Sequence, residues 1–125
     1  MRAWLDAGAL IAVDRKEREM SVTLRVLHRE RVPVWTTAPV IAQVWRDGKT
    51  QANLARALQG VAVRDLDVVL APRVGELQAK ARTSDVVDAH LASLVSPGDL
   101  VLTSDPDDLR RLLKARGVRA RIVRA

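Results

Sequence analysis

The sequence predicts an α/β protein: a mostly parallel sheet of four to five strands with helices on both faces. Two observations predict this class. Short β-branched or compact apolar runs alternate with longer helical segments along the whole chain. Proline, glycine and hydroxyl residues punctuate the joins between them. No linker, repeat or low-complexity run divides the chain, so residues 1–125 are expected to form one domain.

Ala3–Leu5 reads as the first strand, ending at Asp6, and Ala7–Val13 as a short helix broken near Asp14. Glu19–Glu30 is a helical stretch with Leu24 and Leu27 on its apolar side. Val32–Trp35 is the second strand, with Pro33 near its start, where a missing N–H is tolerated. Thr36 or Thr37 caps the next helix, which has Pro39 in its first turn, carries Val40, Ile41, Val44 and Trp45, and stops before Gly48. Thr50 is a cap for a helix over Gln51–Leu58, ended by Gly60.

Val61–Arg64 is the third strand. The helical region Val68–Ala81 contains Pro72, so the helix starts at Ala71 or kinks there. Thr83 or Ser84 is expected to cap a helix holding Asp85, Asp88, His90, Leu91 and Leu94. Pro97–Gly98 is a turn and Leu100–Leu102 the fourth strand. Ser104 or Asp105 starts a helix over Asp107–Ala115, stopped by Gly117, and Arg119–Val123 is a last, edge strand.

Composition narrows the function. Phe and Tyr are absent, so the core rests on Leu, Val, Ala and Ile, with Trp4, Trp35 and Trp45 as packing aromatics. Aromatic stacking on single-stranded nucleic acid is nearly unavailable to such a chain. The formal charge is +6, which favours encounter with polyanions but equally describes an arginine-rich solvated surface. The absence of cysteine excludes disulfides, thiolate zinc sites and thiol nucleophiles. The opening MRAWLDAGALIAVDR is too short and too charged for a signal peptide or membrane span, so a cytoplasmic protein with no membrane association is expected.

Against this basic background, acids fall at telling places. Asp6 follows the first strand and Asp105 the fourth, where open α/β sheets present residues to a crevice outside the strand ends. Asp85 and Asp88, three apart at one helix start, share a face. Carboxylates gathered in this way suit hard divalent cations such as Mg²⁺ or Mn²⁺, and an uncompensated cluster would repel itself. Each acid also has a purely structural role open to it. Asp6, Asp85 and Asp105 can cap helices, Asp105 precedes Pro106, and Asp108 can be a first-turn helix acid. Thr103 and Ser104 can bind phosphate, order a water or cap.

Rival chemistries find little support. There is no GxGxxG and no GKS/T loop. His28 and His90 are far apart, His28 reading as surface and His90 as structural or supporting; Ser84 lacks a base.

Four segments, LDAGALIAV, TTAPVIAQVWR, TSDVVDAHLA and VLTSDPDDL, span nearly the whole chain in order. Together they resemble the PIN-domain proteins of the VapC toxin type. The resemblance implies a three-layer α/β/α sandwich, an acid cluster binding Mg²⁺ or Mn²⁺, and endoribonuclease activity on RNA. It implies that Asp6, Asp88 and Asp105 are catalytic metal ligands, with Asp85 beside them. Asp108, Thr103 and Ser104 match positions that assist. It further implies a homodimer and a small antitoxin partner.

The chain departs from that pattern at Gln43, a neutral amide where the family has its second acid. The alternative implied by this departure is a catalytically weak or inactive module that binds RNA or a protein. Asp47, one helical turn on, is a candidate to reach the same face. Arg46 and Arg15 are candidates for phosphate contact.

Overall fold

The computed structural model describes residues 1–125. Five parallel strands form one sheet: β1 (Ala3–Leu5), β2 (Val34–Thr37), β3 (Ala62–Arg64), β4 (Leu100–Thr103) and β5 (Arg121–Arg124). Their spatial order is β3-β2-β1-β4-β5. Parallel neighbours require crossovers, and helices supply them. Helices α1 (Ala7–Asp14) and α2 (Arg18–Arg29) link β1 to β2, and α3 (Ala38–Val44) and α4 (Ala52–Leu58) link β2 to β3. Helices α5 (Ala71–Ala81) and α6 (Val86–Leu94) return the chain to β4, and α7 (Pro106–Arg116) connects it to β5.

The chain winds from β1 to one edge, then comes back past β1 and winds to the other. With right-handed crossovers, that reversal puts the two sets of helices on opposite faces. Accordingly α1 packs against α2, α3 and α4, while α5, α6 and α7 pack against one another. The result is a three-layer α/β/α sandwich of the PIN-like type. The reversal also makes β1 and β4 neighbours, in register Trp4↔Val101 and Leu5↔Leu102. At such a reversal an open α/β sheet places its site crevice, just beyond the ends of these two strands.

The core is aliphatic. Leu5, Leu10, Leu54, Leu91, Leu102 and Leu109 are among its fully buried side chains, and Trp4 is the largest. Trp35 is half-buried against Trp4, with ring centroids 5.8 Å apart, and Trp45 is exposed. Trp45 lies outside the packed helix because α3 stops at Val44. There Trp45 turns extended, and its N–H donates to the Ile41 carbonyl. That early stop also removes Asp47 from any helical face, and its carboxylate accepts the Lys49 N–H instead.

Other boundaries shift for local reasons. Val32 N–H closes the end of α2 by donating to Leu27, so β2 begins only at Val34. Gln51, not Thr50, occupies the cap position of α4, and its buried amide accepts from the Arg46 and Asp47 N–H groups and donates to the Val44 carbonyl. Asp85, not Thr83 or Ser84, caps α6. Pro72 falls in the first turn of α5, which begins at Ala71. No helix is long and apolar enough to cross a membrane.

The end of the sheet opposite the crevice is tied by Asp99, at 3% exposure. Its carboxylate accepts the Arg2 N–H at 2.9 Å, the Trp4 indole N–H at 3.0 Å and the Ser96 N–H at 2.8 Å. Arg2 also lies 3.5 Å away as a counter-ion, with its guanidinium 4.9 Å above the Trp4 ring. Burial pushes the Asp99 carboxyl up, but these donors and the Arg2 charge outweigh it and hold the group below the ordinary 3.8. A depressed carboxyl pKa contributes stability above the unfolded value, and that stability is lost as pH falls through the folded one. Asp99→Ala strands the Trp4 indole and two backbone N–H groups. Chemical denaturation followed by tryptophan fluorescence is expected to show a loss of about 3 kcal/mol, and a loss under ~0.5 kcal/mol would contradict this role.

Candidate metal centre

Asp6 leaves β1 and caps α1, its Oδ1 accepting the Ala9 N–H at 2.9 Å. Its Oδ2 accepts the Thr103 hydroxyl and, at 3.2 Å, the Ser104 N–H. Thr103 is the last residue of β4, and its Oγ1 in turn accepts the Asp105 N–H at 2.8 Å. One hydroxyl thus joins the ends of the two central strands and positions the next acid. Asp105 caps α7 by accepting the Asp108 N–H at 3.4 Å, and Asp85 caps α6 by accepting the Asp88 N–H at 3.0 Å. Each cap places a carboxylate at the positive end of a helix, which offsets part of the repulsion among them.

The carboxylates of Asp88, Asp105 and Asp108 come together, with one oxygen of each within 4.8 Å of the others. Asp88 and Asp108 are half-buried and Asp105 is exposed. Burial, reinforced by the charges of Asp85, Asp6, Asp105 and Asp108, raises the Asp88 carboxyl from 3.8 to about 7. Asp108 is raised by its hydrogen bond to the Asp105 carboxyl, then by burial and by the Asp105 charge. Burial also raises Asp6, against the lowering effect of its bonds from Thr103, Ala9 and Ser104. An all-oxygen set strained by its own charge matches the donor preference of Mg²⁺ or Mn²⁺, so the residues fit such an ion.

The expected site residues separate into groups. Asp88 and Asp105 stand in the three-acid set, and Asp108 lies with them. Asp6 and Asp85 lie next to this set, each with an oxygen engaged by helix-capping N–H groups. Gln43 is exposed in the last turn of α3, and its amide makes no hydrogen bond to the acids. Arg15 caps the far end of α1, a helix of eight residues or roughly 12 Å from Asp6 at 1.5 Å per residue. Arg46 turns its guanidinium onto the Ala42 and Trp45 carbonyls, closing the end of α3. His90 is fully buried. Its Nε2 lies 3.2 Å from the Asp65 carbonyl, and burial lowers its pKa.

Gly8 is a residue that the sequence reading passed over. A Cβ there would overlap the Ser104 side chain and lie 3.3 Å from the Ser104 Cα, so only glycine lets the β4–α7 turn approach α1. The signal was the run of small residues Ala7-Gly8-Ala9 directly after the first acid.

No protein-family model matches the chain, and no curated protein matches its sequence. Among solved structures, the fold is similar to a chain in the crystal structure of VapBC2 from Rickettsia felis bound to a DNA fragment from their promoter. The TM-score is 0.75 at 12% identity, covering 100% of this chain and 99% of that one. At that identity the likeness is one of fold.

A carboxyl raised in the folded state makes stability fall as pH rises from the unfolded pKa to the folded one. For Asp88 that window runs from about 4 to about 7. Thermal melts in EDTA are therefore expected to decline across it, and Mn²⁺ is expected to raise the melting temperature more at pH 8 than at pH 5, because it competes with protons for the cluster. Equal Mn²⁺ shifts at both pH values, or a decline as steep in Asp88→Asn as in the wild type, would contradict the assignment.

Proposed function

We propose that this protein is a Mg²⁺- or Mn²⁺-dependent endoribonuclease of the VapC type, the cytoplasmic toxin of a toxin–antitoxin pair. The observation that carries the reading is the convergence of Asp88, Asp105 and Asp108 at the crevice between β1 and β4. The fold shared with a chain of the VapBC2 complex supports it. RNA is the proposed substrate, a small antitoxin the proposed partner, and a homodimer the proposed assembly.

Asp88, Asp105 and Asp108 would hold the ion, with Asp6 and Asp85 completing the negative field. When bound, such an ion favours hydroxide over water and offsets the charge that develops on phosphate oxygens. The chain's own residues prepare the place. Thr103 fixes Asp6 against the Asp105 backbone, and the caps of α6 and α7 orient Asp88 and Asp108. Asp6, Asp88 and Asp105 are the residues proposed to carry catalysis. A net charge of +6 favours encounter with polyanions. Attack by water on phosphorus, with departure of the 3′ oxygen, leaves a 5′-phosphate and a 3′-hydroxyl. This chemistry needs no 2′-hydroxyl, so selection of RNA over DNA rests on the groove.

Gln43 favours a second reading, a PIN-fold module that binds RNA or a protein with little catalysis. A neutral amide adds no charge to the ion's field. This reading places position 43 beside the ion, so Gln43→Glu is expected to tighten Mn²⁺ binding roughly tenfold by adding one charge; unchanged affinity would remove position 43 from the site.

Cleavage of labelled single-stranded, hairpin and transfer RNAs in Mn²⁺ and Mg²⁺ tests the main reading. The wild type is expected to cut and EDTA to abolish cutting. Asp6→Asn and Asp88→Asn are expected to lower the rate about a hundredfold or more. Products with 2′,3′-cyclic phosphates, or equal rates in the variants, would contradict it.

A further inference from the structure

The sheet ends at β5, which pairs only with β4. The N–H groups of Arg121 and Ala125 donate inward to Asp99 and Thr103. Strand alternation therefore turns the peptide groups of Ile122 and Arg124 outward, as a free edge. This edge has an apolar groove on each face. On the α7 face, a cavity of about 570 Å³ is floored by Leu113, Val118, Ala120 and Ile122. On the α2 face, a cavity of about 520 Å³ is lined by Val22, Val26, Leu100, Leu102 and Val123, with Met1 69% exposed at its rim.

The charges around the edge are mostly positive. Arg119, Arg121 and Arg124 lie along it, and none of them has a carboxylate within salt-bridge distance. Lys114 and Arg110 flank the α7 groove. Glu30 is the single acid lining either groove.

We propose that β5 is a docking edge for an extended, acidic–apolar segment of another protein, which adds to the sheet as a sixth strand. Such a strand would lie about 4.8 Å from β5 and send alternate side chains into the two grooves. Its acidic residues would meet the unpaired arginines. Charged residues commonly guard a free edge against self-pairing, but apolar grooves on both faces work against protection. The combination selects a partner of opposite charge. A second copy of this chain fits poorly, because edge-to-edge pairing would bring both sets of arginines within a Debye length of roughly 8 Å. Nucleic acid would satisfy the arginines but not the grooves, and the edge carries no aromatic side chain on which a base could stack. The proposal stands independently of the nuclease reading.

The probe is a fluorescein-labelled peptide of alternating valine and glutamate, measured by anisotropy against the full chain, with a valine–lysine peptide as control. Arg124→Pro removes an outward N–H from an edge position that tolerates proline, and leaves the inward bond of Ala125 in place. Arg124→Ala removes the charge alone, and circular dichroism checks both folds. Saturable binding of the acidic peptide is expected, weakened about tenfold by Arg119→Glu/Arg121→Glu and more by Arg124→Pro than by Arg124→Ala. No binding at millimolar peptide, equal binding of the lysine peptide, or equal affinity in the proline and alanine variants would overturn the proposal. So would full competition by a single-stranded RNA, which would make the edge a nucleic-acid surface. A dimer by sedimentation that Arg124→Pro dissolves would assign it to a second copy and overturn the proposal as well.

Discussion

Mutual repulsion among carboxylates at one end of the sheet is the constraint on which the site depends. Five acids, Asp6, Asp85, Asp88, Asp105 and Asp108, meet there in a chain whose formal charge is +6. The fold contains this repulsion in three ways. Helix N-termini face Asp6, Asp85 and Asp105. The Thr103 hydroxyl binds Asp6 and holds the Asp105 backbone. Protons relieve what remains: burial first, and then the neighbouring charges, raise the Asp88 carboxyl to about 7. A divalent cation relieves the same strain at pH values where protons have left.

Asp99 shows what a carboxylate at the opposite end of the sheet looks like when its surroundings are complete. Three N–H donors and the Arg2 charge satisfy it, and its pKa is depressed despite burial. At Asp88 burial is reinforced by the charges of four neighbouring acids, and the shift is upward. The two ends of the sheet thus respond to pH with opposite signs. Asp99 behaves as a finished structural ion pair, and Asp88 as half of an interaction.

Much of the fold was legible in the sequence because strand and helix signals alternated cleanly and were punctuated by Pro39, Pro72, Pro97 and Gly117. Asp6 and Asp105 could be placed at strand ends for the same reason. Where reading failed, tertiary contacts had overridden local preference. Thr50 has the better capping side chain, yet the buried amide of Gln51 ties α3 to α4 and takes the position. Trp45 looked like a helix-face residue, but α3 ends one residue before it. The close approach of Ser104 to Gly8 involves residues nearly a hundred apart; the small run Ala7-Gly8-Ala9 leaves room for a neighbour but does not say which one. Asp108 read either as a helix acid or as an assisting position, because its meeting with Asp88 depends on how α6 packs against α7.

The central claim is that Asp88, Asp105 and Asp108 form a divalent-cation site. A crystal structure of the protein grown with Mn²⁺ at pH 8, with data collected for manganese anomalous scattering, tests it most directly. The account predicts a peak bounded by these three carboxylates, and its loss in Asp88→Asn crystals. A structure with no peak there, or with manganese bound only elsewhere, would contradict it.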